Sequence, residues 1–272
     1  MPLRSALVLG LLAVLLSTAC SRLSFVKPSA KRGDSEQVAQ RYDVSGTAES
    51  RRRSENRLRL ARAGQALANG EPETAEKLVR EALKADPGDA EALTLMALLE
   101  SRRGRSQEAG GYYARAAELA PASGRAQNNY GAWLCGNGRA AEAMAYFDRA
   151  LATPGYPEPA SALANAGACA EAAGQPERVE RDLRAALSLQ PTNAVALSAM
   201  AEYQYRKGSY LEARAFSQRR LAAAPASADV LLLASQIEER LGDKAAADRY
   251  RQRLGKEFPQ ALSAQPGESR QP

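Results

Sequence analysis

The sequence predicts an all-α chain built as a solenoid of six helix pairs, and three observations carry that expectation. A turn glycine recurs at Gly70, Gly104, Gly138, Gly174, Gly208 and Gly242, with spacings of 34, 34, 36, 34 and 34 residues. Five residues after these glycines stand Ala75, Ala109, Ala143, Val179, Ala213 and Ala247, and a proline follows seventeen residues on at Pro87, Pro121, Pro191, Pro225 and Pro259. Small residues let two helices cross closely, and proline ends a helix because it lacks the amide hydrogen and disfavours helical dihedrals before it. A register held over six turns describes stacked helical hairpins.

The clearest copy is Gly131 to Ala150, in which small residues (Gly131, Ala143, Ala150) surround the aromatic Phe147 that fills the wedge between two helices. This third repeat lacks the terminal proline and instead carries Pro154, Pro157 and Pro159, where a two-residue insertion falls. The 34-residue period with this small/aromatic/proline pattern resembles the tetratricopeptide repeat (TPR), from about Asn56 to Pro259. That resemblance implies a right-handed α-solenoid of six TPR helix pairs, at about 56–89, 90–123, 124–159, 160–193, 194–227 and 228–261. Repeat 1 fits with Val79 and Ala82. Two repeats depart from the pattern: repeat 5 has Ser217 and Arg220, and repeat 6 has Arg251 and Leu254, at the aromatic and small places. Terminal repeats often differ because they cap the stack.

Taken in order, the chain opens with one arginine, an apolar run from Ala6 to Leu16 and then Ser-Thr-Ala-Cys. This reads as an export signal over 1–19, too short for a membrane-spanning helix. Cys20 directly after Ala19 resembles the bacterial lipoprotein signal, in which the cysteine is acylated and becomes the first residue. Ser21, not aspartate, follows it, which resembles outer-membrane sorting. Two or three acyl chains, each methylene worth about 0.8 kcal/mol, would then hold the chain to the membrane, facing the periplasm. Residues 20–46 are polar and basic without hydrophobic period, as expected of a flexible tether. The solenoid is expected over 47–262, with Thr47 and Glu49 at the start of its first helix. Arg51, Arg52 and Arg53 lie on that helix, either as a solvated face or as a contact for anionic lipid or an acidic partner. The tail, 263–272, is expected to be disordered.

Composition narrows the function. The 272 residues include no histidine, which removes the commonest general base and zinc ligand. There is no phosphate-binding glycine loop and no domain outside the solenoid large enough for an active site, so the chain is expected not to be an enzyme, with no cofactor, metal or small-molecule substrate. The net charge of +6 does not point to nucleic acid, because the signal exports the chain. Cys135 and Cys169 fall in the first helices of repeats 3 and 4. An oxidising periplasm permits a disulfide, but neighbouring helix axes 8–10 Å apart exceed the usual ~5.5 Å between bridged Cα atoms, which favours two buried thiols.

In a TPR stack the first helices line the concave surface. Carried onto this chain, the partner-binding residues are Arg57, Leu60 and Leu67 of repeat 1, Thr94, Leu98 and Arg102 of repeat 2, and Arg125 and Asn128 of repeat 3. Such an apolar trough edged by arginines suits an apolar strand or amphipathic helix of another protein. Glu202, Tyr205, Arg206, Asp229, Glu239 and Arg240 give repeats 5 and 6 a mixed polar surface. Tyr130 and Trp133 are expected to pack between helices.

Several stretches are more specific: Asn128-Asn129-Tyr130-Gly131, the insertion with Tyr156-Pro157-Glu158, and Asp243 to Tyr250 leading to Phe258-Pro259. With six repeats behind a lipoprotein signal, the chain resembles the type IV pilus biogenesis/stability lipoproteins of the PilF/PilW family. The resemblance implies a pilotin, an outer-membrane lipoprotein that binds secretin subunits and promotes their localisation and assembly. A general periplasmic TPR adaptor recruiting envelope-assembly or peptidoglycan enzymes is the alternative.

Overall fold

The computed structural model describes residues 47–263. The expected export signal, Cys20, the expected tether and the tail from 264 onward lie outside the described residues. Twelve helices form six pairs: α1 (Ala48–Ala68) with α2 (Pro72–Ala85), α3 (Ala90–Arg102) with α4 (Ser106–Leu119), and α5 (Gly124–Gly136) with α6 (Ala140–Ala152). Then follow α7 (Pro159–Ala170) with α8 (Pro176–Leu189), α9 (Ala194–Arg206) with α10 (Tyr210–Ala223), and α11 (Ala228–Leu241) with α12 (Lys244–Glu257). A short α13 (Pro259–Ser263) closes the array, so Ser263 ends a helix. No strand occurs among the described residues.

The six recurring glycines end the first helix of each pair in left-handed backbone, with φ between +73° and +82°. That conformation suits glycine, which has no Cβ to clash. The residue after each closes a six-residue loop back into the helix, for example Arg139 N–H to Leu134 O at 2.9 Å and Gln175 N–H to Ala170 O at 2.8 Å. These bonds satisfy carbonyls that the helix end would otherwise orphan. First helices begin on side-chain caps at Asp89, Ser123 and Asn193, each accepting from amides two or three residues on.

Within repeat 3 the wedge forms as the pattern requires. Phe147 is fully buried, and a Cβ on Gly131 would meet its ring at 2.8 Å. Burying such a ring contributes about 1.5–3 kcal/mol. Repeat 4 repeats the device with Gly167 against Leu183, at 2.7 Å. Trp133 packs on Gly110 of the preceding repeat and donates its indole N–H to Ser106 O at 3.0 Å. Tyr130 sets its ring edge-on to Tyr146, 4.7 Å between centroids. Both aromatics therefore pack between helices.

First helices touch one another from repeat to repeat, from α1 against α3 through α9 against α11, so they form one continuous layer. The most extensive of these contacts is α7 on α9, where Ala164, Ala166 and Ala196 are fully buried.

One expectation is overturned here. Cys135 and Cys169 form a disulfide with Cα atoms 6.0 Å apart. The interaxial distance of two helices overstates this separation, because the two cysteines stand on the facing sides of α5 and α7, where the backbones come closest. Small neighbours such as Ala166 and Ala170 permit that approach.

Candidate functional site: a cleft walled by the insertion

Three of the groove residues expected from repeat position lie in the interior. Leu60 is 1% and Leu67 4% exposed, packed with Ala75, Val79, Met96 and Leu99. The cause is periodicity: Asn56, Leu60, Ala63 and Leu67 form one stripe of α1, and that stripe closes over α2 and α3. Asn128 is 5% exposed and accepts a 3.0 Å hydrogen bond from Asn165 Nδ2, so it ties α5 to α7. The remaining residues stay at the surface. Arg57 is exposed. Arg102 reaches back to Leu67 O at 3.1 Å, and Leu98 is half-buried at the edge of the core. An apolar trough built on Leu60 and Leu67 is therefore absent from the open surface of repeat 1.

What the structure offers instead is a cleft of about 440 Å³ between the start of α3, the start of α5 and the inserted loop after α6. Two of the expected residues, Thr94 and Arg125, line it. Thr94 spends its hydroxyl on Ala90 O at 2.8 Å. Arg125 is exposed and paired with Glu158 through a 2.7 Å bond, which spans the cleft's edge from α5 to the insertion. Leu95, Ala126, Pro154 and Pro157 supply apolar surface, and Glu91 adds an acidic rim. The arrangement suits an amphipathic segment that presents an apolar side chain inward and polar groups to the rim.

The insertion holds its shape by local chemistry. Gly155 takes a left-handed φ of +71°, Tyr156 N–H returns to Thr153 O at 3.2 Å, and Thr153 caps α6 through Arg149 O at 3.0 Å. Tyr156 lies over Gly124, and its buried hydroxyl finds no protein partner. Burial pushes its pKa up to about 12, helped by the neighbouring Glu158 carboxylate and opposed by Arg125. Tyr156, Pro154 and Pro157 were not among the expected groove residues. The signal for them was in the sequence, as a two-residue break of the 34-residue period carrying three prolines.

Comparison with known proteins follows this geometry. Residues 56–99 and 94–158 match the tetratricopeptide repeat family. The chain is 25% identical over 199 residues to the type IV pilus assembly protein PilF of Pseudomonas aeruginosa, covering 73% of this chain and 79% of that protein. Against the crystal structure of PilW, a widely conserved type IV pilus biogenesis factor, identity is 30% with a TM-score of 0.65, over 77% of this chain and 98% of PilW. The solved structure of Pseudomonas aeruginosa PilF shares the fold at a TM-score of 0.63 and 23% identity, over 78% and 98% of the two chains. An array that follows PilW across nearly its whole length, in fold and in sequence, belongs with it: the chain is a member of the TPR family of type IV pilus biogenesis proteins that includes PilW and PilF.

Proposed function

We propose that this protein is a pilotin: an outer-membrane lipoprotein, acylated at Cys20 and facing the periplasm, that binds secretin subunits and promotes their localisation and assembly for type IV pilus biogenesis. The observation that carries the reading is the likeness to the biogenesis factor PilW over 98% of that chain, at 30% identity. Tethering is the mechanism. A lipid-anchored arm raises the local concentration of its partner at the membrane, and a cleft that covers an apolar segment delays premature association. The α3/α5/insertion cleft is the docking point, with Thr94 and Arg125 in contact with the partner.

Deleting the gene and following secretin monomers and multimers in separated membranes tests this. Lost or misplaced multimers and lost twitching motility are expected; normal multimers in the outer membrane would overturn the reading. Cys20→Ser should release the protein from membranes, and continued fractionation with acylated protein would remove the anchor. Leu60 and Leu67 are unsuitable probes of binding, since a charge at either would disrupt the core.

A further inference from the structure

The arginines at the start of α1 belong neither to the core nor to the cleft walled by the insertion. Six arginines stand on α1 against two glutamates, a net +4 in a chain of net +6. Asn56, Leu60, Ala63 and Leu67 turn one face of the helix to the core, where it packs on α2 and α3. Arg51, Glu55, Leu58 and Arg62, spaced by four, three and four residues, share the opposite face, and all four are exposed. Leu58 is 55% exposed, unusually open for a leucine here. Beside it a cleft of about 290 Å³ between α1 and α2 sets Leu58 and Leu78 next to Arg62. Arg53 is engaged by Glu49, and Arg59 by Glu81 and Asn56. Arg51, Arg52 and Arg62 make no hydrogen bond or ion pair among the described residues.

We propose that this face of α1 lies on an anionic lipid surface, with Arg51, Arg52 and Arg62 against phosphate headgroups and Leu58 at the boundary with the acyl chains. Charge and position both select that occupant. Guanidinium groups without a carboxylate of their own pair with phosphate oxygens through two parallel hydrogen bonds. Basic side chains flanking an exposed apolar one are what a helix at a lipid interface presents. Position adds the second argument. Residues 21–46 reach at most about 90 Å when fully extended, so α1 is the first described helix that an anchor at Cys20 delivers to the bilayer. A second copy of the chain would set this positive face against its own like and be repelled. The contact leaves the cleft on α3, α5 and the insertion open to a protein partner, because the two share no residue. The inference rests on the reading of Cys20 as a lipid anchor, and its test omits that anchor so that the two can fail separately.

The test uses the full chain with Cys20→Ser and Leu58→Cys, the new thiol carrying a polarity-sensitive dye, since Cys135 and Cys169 are bonded to each other. Vesicles of phosphatidylcholine mixed with phosphatidylglycerol should shift the dye, and added salt should reverse the shift. Vesicles of phosphatidylcholine alone report whatever the apolar run near the N-terminus contributes, and should leave the dye unshifted. Replacing Arg51, Arg52 and Arg62 together by glutamine should lower the equilibrium constant for the contact roughly a hundredfold, at about fivefold per arginine. The same three positions changed to lysine keep the charge and should keep most of the response. Equal shifts with charged and neutral vesicles, or an unchanged shift in the glutamine variant, would overturn the proposal. So would a dye shift that depends on protein concentration without vesicles, which would give the face to a second copy. In cells, Cys20→Ser protein that membranes release only on a salt wash is held by α1. Retention through that wash would remove the anchor reading and leave the α1 contact to stand on the vesicles.

Discussion

The ring of Tyr156 occupies the space that a Cβ at Gly124 would need: a methyl group there would stand 2.7 Å from the ring and 3.1 Å from Ala150 O. The first residue of α5 is therefore glycine so that the inserted loop can lie flat against the helix and wall the cleft. Gly124→Ala should lift the ring away and cost about 1–3 kcal/mol, the range for overpacking. Urea unfolding measures the loss, and a crystal structure of the variant should show the loop displaced.

Tyr156 itself yields a prediction in the alkaline range. Its folded pKa, near 12, lies above the ordinary tyrosine value of about 10. Between these values the folded chain holds a proton that the unfolded chain has lost, so the stability is complete below pH 10 and falls as pH rises toward 12. Tyr156→Phe should remove that part of the alkaline slope. Because it also removes a buried hydroxyl with no partner, it should leave stability at pH 7 unchanged or raise it by about 1 kcal/mol. Denaturant midpoints at several pH values decide both points.

The Cys135–Cys169 bond closes a loop of 34 residues, joining repeat 3 to repeat 4. In the chain-entropy view a loop of that size contributes about 3–4 kcal/mol by restricting the unfolded chain. The pair Cys135→Ala with Cys169→Ala, or reduction of the native protein, should lower unfolding stability by about that amount. Helicity at room temperature should be retained, since Gly131, Phe147, Gly167 and Leu183 pack without the bond. Urea unfolding with and without reductant compares the two forms.

The repeat glycines, small residues and prolines were enough to place all twelve paired helices, because each is dictated by local backbone geometry that recurs every 34 residues. Side-chain destination was less legible. Leu60 and Leu67 occupy repeat positions that face the partner in a generic stack, yet in α1 they share a stripe with Asn56 and Ala63 that closes over α2 and α3. Asn128 was visible as polar, but its bond to Asn165 depends on a contact between repeats that no spacing reveals. The disulfide failed for a related reason: helix spacing is an axis property, and the bond depends on which faces meet. Tyr156 was readable as part of an insertion and unreadable as a wall, since its place over Gly124 follows from the path of the loop.

Acid should loosen the junction of repeats 1 and 2. Glu100 is buried and bonded to Arg105 and Arg103, while Glu76 reaches Arg103 from α2. The hydrogen bonds from Arg105 and Arg103 respectively hold both carboxylates below the usual glutamate range. A depressed folded pKa stabilises above the unfolded value and is lost as pH falls through the folded one. Glu100→Gln should therefore lower the unfolding midpoint at pH 7, and the gap from the native protein should narrow toward pH 3. A gap that stayed constant with pH would assign the effect to packing.

Repeat 5 exchanges the sizes that repeats 1 to 4 keep. Where Phe147 fills the wedge of repeat 3, Ser217 stands buried, and where Ala82, Ala116, Ala150 and Ala186 are fully buried, Arg220 stands half-exposed. Arg220 donates to Ser198 Oγ at 3.1 Å, to Ala224 O at 3.1 Å and to Pro225 O at 3.2 Å, closing the end of α10. Restoring the family pattern at one position alone should therefore harm the fold. Arg220→Ala removes three hydrogen bonds, and Ser217→Phe puts a ring into a buried position one helical turn from the arginine. The double variant replaces one large residue by another and should recover part of the loss. A double-mutant cycle in urea should give a coupling on the order of 0.5–3 kcal/mol in favour of the pair. Additive losses would mean that the two positions do not share the space, and that Arg220 acts through its carbonyl bonds alone.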